Sequence, residues 1–199
     1  MSAKHNVAIL GASGYTGAET IRLVHGHPNL TLKALSGHSR AGQKLSDTYP
    51  NFGNLDIQKW EDIDFSDIDV VFACLPHGAS QETIAAIKPE VGTVIDLSAD
   101  FRLSDPALYE KTYGRPHEFI NLLNNAVYGL TEFMRDQIRD ADLVACPGCY
   151  PTCSLLSLLP GIEAELFEVD SIIIDAKSGV TGAGRKACLL YTSPSPRDA

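Results

Sequence analysis

A cysteine at a predicted strand-to-helix turn is the residue of this chain best suited to covalent chemistry. Cys149 lies in Cys-Pro-Gly-Cys-Tyr-Pro-Thr (146–152), after the apolar run 143–145 and before an apolar helical pattern over 153–159. Pro151 suits the first position of that helix, where its missing N–H would have no partner in any case. The free N–H groups and the dipole of a helix N-terminus favour a thiolate, the nucleophilic form of cysteine. Cys149 is therefore a candidate catalytic nucleophile.

Two other interpretations of this thiol stay open on these residues alone. A cysteine among apolar residues is often a small buried hydrophobic side chain with no chemical role. Cys146 and Cys149 also have the C-x-x-C spacing of a redox pair, which beside a strand and a helix is typical of thioredoxin-like exchange. The redox interpretation needs both sulfur atoms, whereas the nucleophile interpretation needs only Cys149.

A glycine-rich turn near the amino terminus predicts a nucleotide site. The apolar run 6–10 indicates a buried strand, and a helical pattern begins at residue 18. Between them the glycines have the spacing G-x-x-G-x-x-G, in place of the commoner G-x-G-x-x-G. Glycines in such a turn let the backbone approach a pyrophosphate at the helix N-terminus, although similar turns also occur without a ligand. The residues expected to contact the cofactor are Gly11, Ser13, Gly14, Tyr15, Thr16 and Gly17.

The end of the next strand bears on the choice between NAD and NADP. The run 30–35 predicts this strand, and Ser-Gly-His-Ser-Arg (36–40) follows it. Many NAD sites place an acidic residue here to bind the ribose 2′-hydroxyl, and this segment has none. Hydroxyl groups with an arginine instead suit a 2′-phosphate, because a guanidinium binds phosphate through paired, charge-assisted hydrogen bonds. We predict NADP, with Ser36, Ser39 and Arg40 at its 2′-phosphate; an ordinary solvated loop is the alternative.

Apolar runs alternate with helical patterns further along the chain. Residues 69–75 and 91–97 predict buried parallel strands, separated by a helical pattern over 81–87. This alternation predicts an α/β fold with a doubly wound parallel sheet of Rossmann type. Ligands of such sheets bind at the carboxyl ends of the strands. The glycine turn, the loops that begin at Pro76 and Ser98, and Cys149 all follow strands, and we expect them to form one site.

Six motifs, in order along the chain, resemble those of the N-acetyl-γ-glutamyl-phosphate reductases. The resemblance extends from residue 5 to residue 187. It implies an NADPH-dependent oxidoreductase of arginine biosynthesis that is a homo-oligomer at full length. It also implies that the cysteine at the position of Cys149 attacks an acyl phosphate to form a thioester, which hydride then reduces to the semialdehyde. The motifs are Gly-Ala-Ser-Gly-Tyr-Thr-Gly (11–17), Leu-Pro-His-Gly (75–78), Asp-Leu-Ser-Ala-Asp-Phe-Arg (96–102), Tyr-Gly-Leu-Thr-Glu (128–132), Pro-Gly-Cys-Tyr-Pro-Thr (147–152) and Ser-Gly-Val-Thr-Gly-Ala-Gly-Arg-Lys-Ala (178–187).

The resemblance further implies two loops near the substrate and the nicotinamide. The first is residues 98–102 and the second is residues 178–185. We expect Ser98, Arg102 and Arg185 to bind the substrate, with the arginines at its carboxylate or phosphate. His77 is a further substrate-binding candidate, and packing on its own turn is the alternative. The cofactor is expected to contact Pro76, Gly179 and Gly182.

The carboxyl-terminal part departs from the family pattern. The family has a catalytic histidine beyond the cysteine, in a His-Arg-His segment, whereas all 6 histidines of this chain precede Cys149. Residues 188–199 contain Ser-Pro-Ser-Pro and no periodicity, which predicts a non-native tail; a natural disordered tail is the alternative. We expect an NADP-binding domain over residues 1–147 and the start of a catalytic and dimerisation domain over 148–187. That second part would contain a strand at 171–176 with an exposed apolar edge.

Composition narrows the possible partners. The net charge of −9, with no basic block, argues against nucleic acid binding. No apolar run is long enough to span a membrane, and the amino terminus lacks the apolar segment of a secretory signal. The 5 scattered cysteines do not form a disulfide framework. We predict a cytoplasmic protein with a small-molecule substrate and no metal site.

Three functions remain after this reasoning. The first is an N-acetyl-γ-glutamyl-phosphate reductase by descent, of which this chain alone is inactive. The second is a related acyl-phosphate reductase of the aspartate-semialdehyde or aminoadipyl type, although the motif at 147–152 favours the first. The third is a non-catalytic NADP-binding protein or a thiol-redox protein that uses Cys146 and Cys149.

Overall fold

The apolar runs form strands, and the segments between them form helices. The computed structural model describes residues 4–184 of the chain, and none of the helices in this range is long and apolar enough to cross a membrane. In chain order the elements are β1 (His5–Leu10), α1 (Tyr15–His25), β2 (Leu30–Ser36), β3 (Val70–Ala73), α2 (Ser80–Ile87), β4 (Thr93–Asp96), α3 (Pro106–Tyr113), α4 (Ile120–Asn125), β5 (Val127–Tyr128), α5 (Thr131–Arg139), β6 (Leu143–Ala145) and α6 (Cys149–Glu163).

These six strands form one parallel sheet in the order β2-β1-β3-β4-β6-β5. In the register of the sheet, Ile9 of β1 lies opposite Leu35 of β2 and Phe72 of β3. The predicted α/β fold with a Rossmann-type parallel sheet is therefore confirmed.

Residues 7–10 of strand β1 are all apolar and buried, because they contribute to a separate core on each face of the sheet. Successive side chains of a strand point to opposite faces. Val7 and Ile9 pack in one cluster with Ile21 and Val24 of α1. Ala8 and Leu10 belong to the other, which contains Ile84 and Ile87 of α2. Helices on both faces leave the ends of the strands as the accessible part of the sheet.

The path of the chain reverses beside β1. From β1 the chain passes to β2 on one side, and it later returns to β3 on the other side. Such a reversal leaves a crevice at the carboxyl ends of the two strands, which is where doubly wound sheets bind their ligands. The turn after β1 and the loop after β3 border this crevice.

The chain divides into two compact units between Thr152 and Cys153. The first contains the whole sheet, and the predicted strand at 171–176 of the second is wrong. Val169–Ser171 forms a short 3-10 helix, and residues 172–179 have no regular structure. A strand needs a neighbour for its N–H and C=O groups, and no strand within residues 153–184 supplies one. Ile173 is accordingly 92% exposed.

Candidate active site

The turn after β1 has the backbone geometry of a phosphate cradle. Gly11 has a φ of 79°, and a Cβ atom there would lie 2.1 Å from the carbonyl oxygen of Cys74. A Cβ atom at Gly17 would lie 2.4 Å from the carbonyl oxygen of Gly11, so α1 packs directly on the turn. Only glycine fits these two positions. Helix α1 begins at Tyr15 with Gly14 as its N-cap, which places the free N–H groups of the helix at this turn.

Replacing Gly11 tests this close approach. We expect Gly11→Ala to destabilise the first unit by about 2–4 kcal/mol, because it combines a strained φ with a backbone collision. Gly42→Ala is the matched control, since Gly42 has a similar φ of 83° but no atom within 4 Å of the added carbon. Thermal unfolding followed by circular dichroism measures both variants. Equal melting temperatures for the two variants would contradict the close packing of Gly11 against the backbone of Cys74.

The end of β2 lies beside the glycine turn. The backbone N–H of Ala12 donates to the carbonyl oxygen of Ser36 at 2.8 Å. A Cβ atom at Gly37 would lie 3.4 Å from Ser13 Oγ and 3.8 Å from the Cβ of Arg40. Arg40 ends a short 3-10 helix, His38–Arg40, and its Nη1 donates to Gln43 at 3.1 Å.

The structure thus brings Ser36 and Arg40 to the edge that carries the predicted pyrophosphate site. Ser36 itself is buried, whereas Ser39 is exposed. Their contact with a 2′-phosphate stays a prediction.

Cys149 is exposed and is the first residue of α6. The N–H of Thr152 donates to the carbonyl oxygen of Gly148 at 2.9 Å, which is the first hydrogen bond of the helix. The helix therefore begins at Cys149, two residues before the predicted start at Pro151. Pro151 is its third residue rather than its first. Proline is tolerated there because the first N–H groups of a helix have no acceptor within it. The strand-to-helix position of Cys149 is as expected.

The guanidinium of Arg102 joins the ends of two strands next to this turn. Its Nε donates to the carbonyl oxygen of Cys146 at 2.7 Å, and its Nη2 donates to that of Leu97 at 3.0 Å. Its Nη1 lies 3.2 Å from the position that a Cβ atom of Gly148 would occupy. A positive charge therefore lies against the turn that precedes Cys149. Two nitrogen atoms of Arg102 are already engaged, and its contact with a substrate stays a prediction.

The other cysteines of the first unit differ from Cys149 in their surroundings. Burial raises the pKa of Cys146 to about 11, and nearby Asp96 adds to the effect. Burial also raises the pKa of Cys74 to about 11, although Thr20, whose hydroxyl lies 3.6 Å from the sulfur, partly offsets it. Thiol–disulfide exchange needs an accessible thiolate. Cys146 is a poor candidate for that role.

The loop after β3 places His77 against a buried carboxylate. Nδ1 of His77 lies 2.9 Å from Oδ1 of Asp100, and its side chain is 41% exposed. The imidazole also stacks on Tyr113 with ring centroids 4.5 Å apart. His77 therefore packs on the loop after β4 and on the last residue of α3, and it keeps an accessible face. Its contact with substrate stays a prediction, as does that of Pro76 at the start of the same loop with the cofactor.

Asp100 is the centre of a group of hydrogen bonds. Its carboxylate accepts from the N–H groups of Gly78 and Ser80 and from the hydroxyls of Ser80 and Tyr109, at 2.8 to 3.2 Å. Burial raises the pKa of this carboxyl, but the hydrogen bonds lower it by more, so the net pKa lies below its ordinary value. Asp100 is therefore a carboxylate at neutral pH.

The sequence interpretation gave no role to Asp96 or Asp100, whose side chains lie beneath His77. Ser98, which it expected at the substrate, is buried; its N–H donates to Asp96 at 3.0 Å, and its hydroxyl oxygen lies 2.7 Å from Oδ2 of the same carboxyl group. Asp96 and Asp100 are also buried. The sequence did contain a signal for this group, the pattern Asp-x-Ser-x-Asp over residues 96–100, directly after an apolar run. Acidic residues at the end of a buried strand need polar partners, so this pattern indicates a buried hydrogen-bond network.

The remaining predicted site residues lie outside the first unit. In the second unit, a short 3-10 helix spans Val180–Ala183. Gly179 is its N-cap, and Gly182 lies within it. Arg185 and the segment 188–199 lie outside the described residues. The roles of these residues stay predictions.

Comparison with known families identifies the sheet domain. The family model described as "Semialdehyde dehydrogenase, NAD binding domain" matches residues 6–141, and the one described as "Semialdehyde dehydrogenase, dimerisation domain" matches residues 149–195. The chain belongs to the semialdehyde dehydrogenase family. A nicotinamide-dinucleotide-binding domain is thus present in this semialdehyde dehydrogenase chain. The second match includes residues 188–195, so the proposed non-native tail stays a prediction.

Curated relatives share about half of their residues with the chain. "N-acetyl-gamma-glutamyl-phosphate reductase" of Cereibacter sphaeroides is 51% identical over 195 residues, which cover 96% of this chain and 57% of the relative. The protein of the same name from Rhodospirillum rubrum is 52% identical over 194 residues, 94% of this chain and 55% of its own. A protein from rice named "Probable N-acetyl-gamma-glutamyl-phosphate reductase, chloroplastic" is 49% identical over 191 residues, which cover 94% of this chain and 46% of the relative. The resemblance to these reductases is confirmed, and the chain spans about half of their length.

Two of the solved structures with a similar fold are aspartate semialdehyde dehydrogenases. Aspartate semialdehyde dehydrogenase from Francisella tularensis superposes with a TM-score of 0.59 at 18% identity, over 93% of this chain and 47% of its own. Aspartate semialdehyde dehydrogenase II from Vibrio cholerae has a TM-score of 0.58 at 20% identity, over 81% of this chain and 47% of its own. At such identities the likeness shows the fold alone. The named relatives of this semialdehyde dehydrogenase chain are oxidoreductases that act on aldehyde or acyl-phosphate groups.

Proposed function

We propose that this chain is the cofactor-binding and nucleophile-bearing part of an NADPH-dependent N-acetyl-γ-glutamyl-phosphate reductase. The observation that carries the proposal is the position of three features that follow parallel strands of one sheet: the glycine turn, the end of β2 and the turn before Cys149. Identities near 50% to relatives of that name support the substrate. The proposal includes arginine biosynthesis, a cytoplasmic location and a homo-oligomer at full length. The family match to a dimerisation domain supports the homo-oligomer.

The residues of the first unit fit a nicotinamide dinucleotide. A side chain at Gly11 or Gly17 would collide with backbone, so the turn stays bare for a pyrophosphate at the start of α1. Ser36, Ser39 and Arg40 would bind the 2′-phosphate of NADP. When bound, NADPH supplies the hydride for the reduction.

Cys149 performs the covalent step in this proposal. Its thiolate attacks the carbonyl carbon of the acyl phosphate, so that a C–S bond forms, the C–O bond to phosphate breaks, and phosphate leaves with the electron pair. The resulting thioester is reduced at its carbonyl carbon, and the C–S bond then breaks to return the thiolate and release the semialdehyde. Arg102 places a positive charge at the turn before Cys149 and is suited to the anionic substrate.

A thiol-redox function receives less support from the same residues. It requires Cys146 to act as a thiolate, and burial raises the pKa of this thiol to about 11. A reductase for aspartyl or aminoadipyl phosphate differs only in substrate, and the names of the relatives favour N-acetyl-γ-glutamyl phosphate.

Nicotinamide selectivity tests the cofactor assignment. We expect the chain to bind NADPH far more tightly than NADH in a fluorescence titration, because only NADPH carries the 2′-phosphate. Arg40→Ala should weaken NADPH binding by roughly 10- to 150-fold, the loss of a hydrogen bond to a charged group worth about 1.5–3 kcal/mol.

Arg22→Ala is the matched control for this titration. Arg22 lies late in α1, paired with Glu19 at 2.8 Å, so its removal changes the net charge equally without touching the predicted site. Equal affinities for NADH and NADPH, or equal losses in the two arginine variants, would show that the segment 36–40 is not a 2′-phosphate site.

A further inference from the structure

Four buried side chains beneath His77 form a continuous hydrogen-bond network. Asp96 Oδ2 lies 2.7 Å from Ser98 Oγ, which lies 2.6 Å from Ser80 Oγ, which in turn lies 2.8 Å from Asp100 Oδ2. All four residues are buried. They come from the end of β4, the loop after it and the start of α2, at the carboxyl edge of the sheet. We call these four side chains the carboxyl–hydroxyl network.

The hydroxyl groups do not supply enough protons for this network. It contains three oxygen–oxygen contacts, and each at 2.8 Å or less has the length of an O–H···O hydrogen bond. Ser80 and Ser98 have one hydroxyl proton each. The N–H of Asp100 donates to Ser98 Oγ at 3.0 Å but adds no proton to the three contacts. The third proton must therefore come from a protonated carboxyl group.

The numbers of other donors decide which carboxyl carries that proton. Besides Ser80 Oγ, Asp100 receives hydrogen bonds from two backbone N–H groups and from the hydroxyl of Tyr109, and it faces Nδ1 of His77. From the residues that the structure describes, Asp96 receives one other hydrogen bond, donated by the N–H of Ser98 at 3.0 Å. A carboxyl with many donors is stabilised as the anion, and a buried one with few donors is stabilised as the acid. The proton belongs on Asp96.

The charged and titratable neighbours agree with this placement. Burial raises the pKa of Asp96 to about 6, and the charge of Asp100 adds to the effect, while Arg102 and the hydrogen bonds from Ser98 oppose it. The other titratable groups near Asp96 are the thiols of Cys74 and Cys146. Those near Asp100 are His77, Tyr109 and His117. Arg115 contributes a positive charge to Tyr109 and His117.

We propose that Asp96 is a neutral carboxylic acid in mildly acidic solution and that, through Ser98 and Ser80, it keeps Asp100 as the carboxylate that orients His77. In this arrangement Asp96 donates to Ser98, Ser98 donates to Ser80, and Ser80 donates to Asp100. The carboxylate of Asp100 then accepts the Nδ1–H of His77, which leaves Nε2 as the proton acceptor of a partly exposed imidazole. His77 is thereby a general-base candidate, with Asp100 and Asp96 as positioning residues. The inference depends only on the geometry of the first unit and not on the proposed reaction.

Infrared difference spectroscopy tests the proton on Asp96. The purified 199-residue chain at a pH just below 6 should have a carbonyl band of a protonated carboxylic acid, and this band should be absent in Asp96→Asn. An asparagine amide can donate to Ser98 as the acid does, so this variant should fold. Asp69→Asn is the control, because Asp69 is half-exposed beside His5, and it should retain the band. Absence of the band in the unmodified chain, or its persistence in Asp96→Asn, would overturn the proposal.

Stability as a function of pH provides a second readout. Because the pKa of Asp96 is higher in the folded chain than its ordinary value of 3.8, the folded state binds the proton more tightly. Asp96 therefore favours folding at low pH, and this contribution is lost as the pH rises through about 6. We measure the melting temperature of Asp96→Asn minus that of the unmodified chain at each pH. This difference should become more positive as the pH rises from acid to alkaline. A difference that stays constant with pH would contradict a proton on Asp96.

The tautomer of His77 tests the second half of the proposal. Nitrogen NMR of the labelled chain at alkaline pH, where histidine side chains are neutral, should show the proton of His77 on Nδ1, in the unmodified protein and in Asp96→Asn alike. Asp100→Asn should change this tautomer or reduce the melting temperature strongly, because an amide cannot accept all the donors that surround Asp100. A His77 protonated at Nε2 in the unmodified protein, or an Asp100→Asn variant with unchanged tautomer and stability, would overturn the positioning role.

Discussion

In a full-length protein that continues this chain to the length of its relatives, Cys149→Ser abolishes reduction of N-acetyl-γ-glutamyl phosphate. The expected loss is roughly 10³-fold or more, since a serine hydroxyl at this position is a far weaker nucleophile than a thiolate. Cys146→Ala should retain most of the activity, because burial raises the pKa of this thiol to about 11 and it has no role in the proposed reaction. Steady-state rates of NADPH oxidation measure both variants.

The matched control is a third cysteine on the same helix. Cys153 is exposed like Cys149 but lies one turn further along α6, so Cys153→Ser should be nearly as active as the unmodified enzyme. A redox pair instead requires equal damage from losing Cys146 or Cys149, together with a disulfide between them that mass spectrometry would detect after oxidation. That result would replace the nucleophile with a thiol-exchange function.

The 199-residue chain by itself is expected to turn over N-acetyl-γ-glutamyl phosphate negligibly. It contains no histidine after Cys149, where the resemblance places the catalytic one. General acid–base catalysis contributes roughly 10²–10⁴-fold, so its loss alone is expected to lower the turnover by about that factor. The exposed apolar residues of the second unit, with Ile173 at 92%, also favour poor solubility. An NADPH-coupled assay of the purified chain measures the turnover.

Two comparisons make this assay decisive. The full-length relative from Rhodospirillum rubrum, at 52% identity, serves as the active reference. Removal of residues 188–199 should change neither the turnover nor the NADPH affinity of the chain. Robust NADPH-dependent turnover by the 199-residue chain would show that the missing histidine is not needed.

Local sequence signals were sufficient for the central part of the fold. The run 6–10 and the glycines that follow it determine a buried strand and a bare turn through backbone preferences alone, and the structure places β1 and α1 there. Helix α3 also had readable signals, although we did not predict it. Asp105 caps it by accepting from the N–H of Ala107 at 2.9 Å, Pro106 begins it, and Gly114 ends it with a φ of 71°.

Features that depend on distant residues could not be predicted in the same way. The segment 171–176 has an apolar pattern typical of a strand, but a strand forms only beside a partner, and residues 153–184 contain none. Strand β5 has only two residues, too few for any periodicity, and exists because it pairs with β6. The buried network beneath His77 joins Ser80 to Asp100, 20 positions apart. Its charges and protons follow from burial, which the sequence does not specify residue by residue.

Trapping the acyl intermediate tests the central claim most directly. The full-length protein is mixed with N-acetyl-γ-glutamyl phosphate without NADPH, quenched in acid, digested and analysed by mass spectrometry. We predict an N-acetylglutamyl thioester on the peptide that contains Cys149, lost on addition of NADPH before the quench and absent in Cys149→Ser. An adduct on Cys146, or no adduct while the enzyme still turns over with NADPH, would contradict Cys149 as the nucleophile.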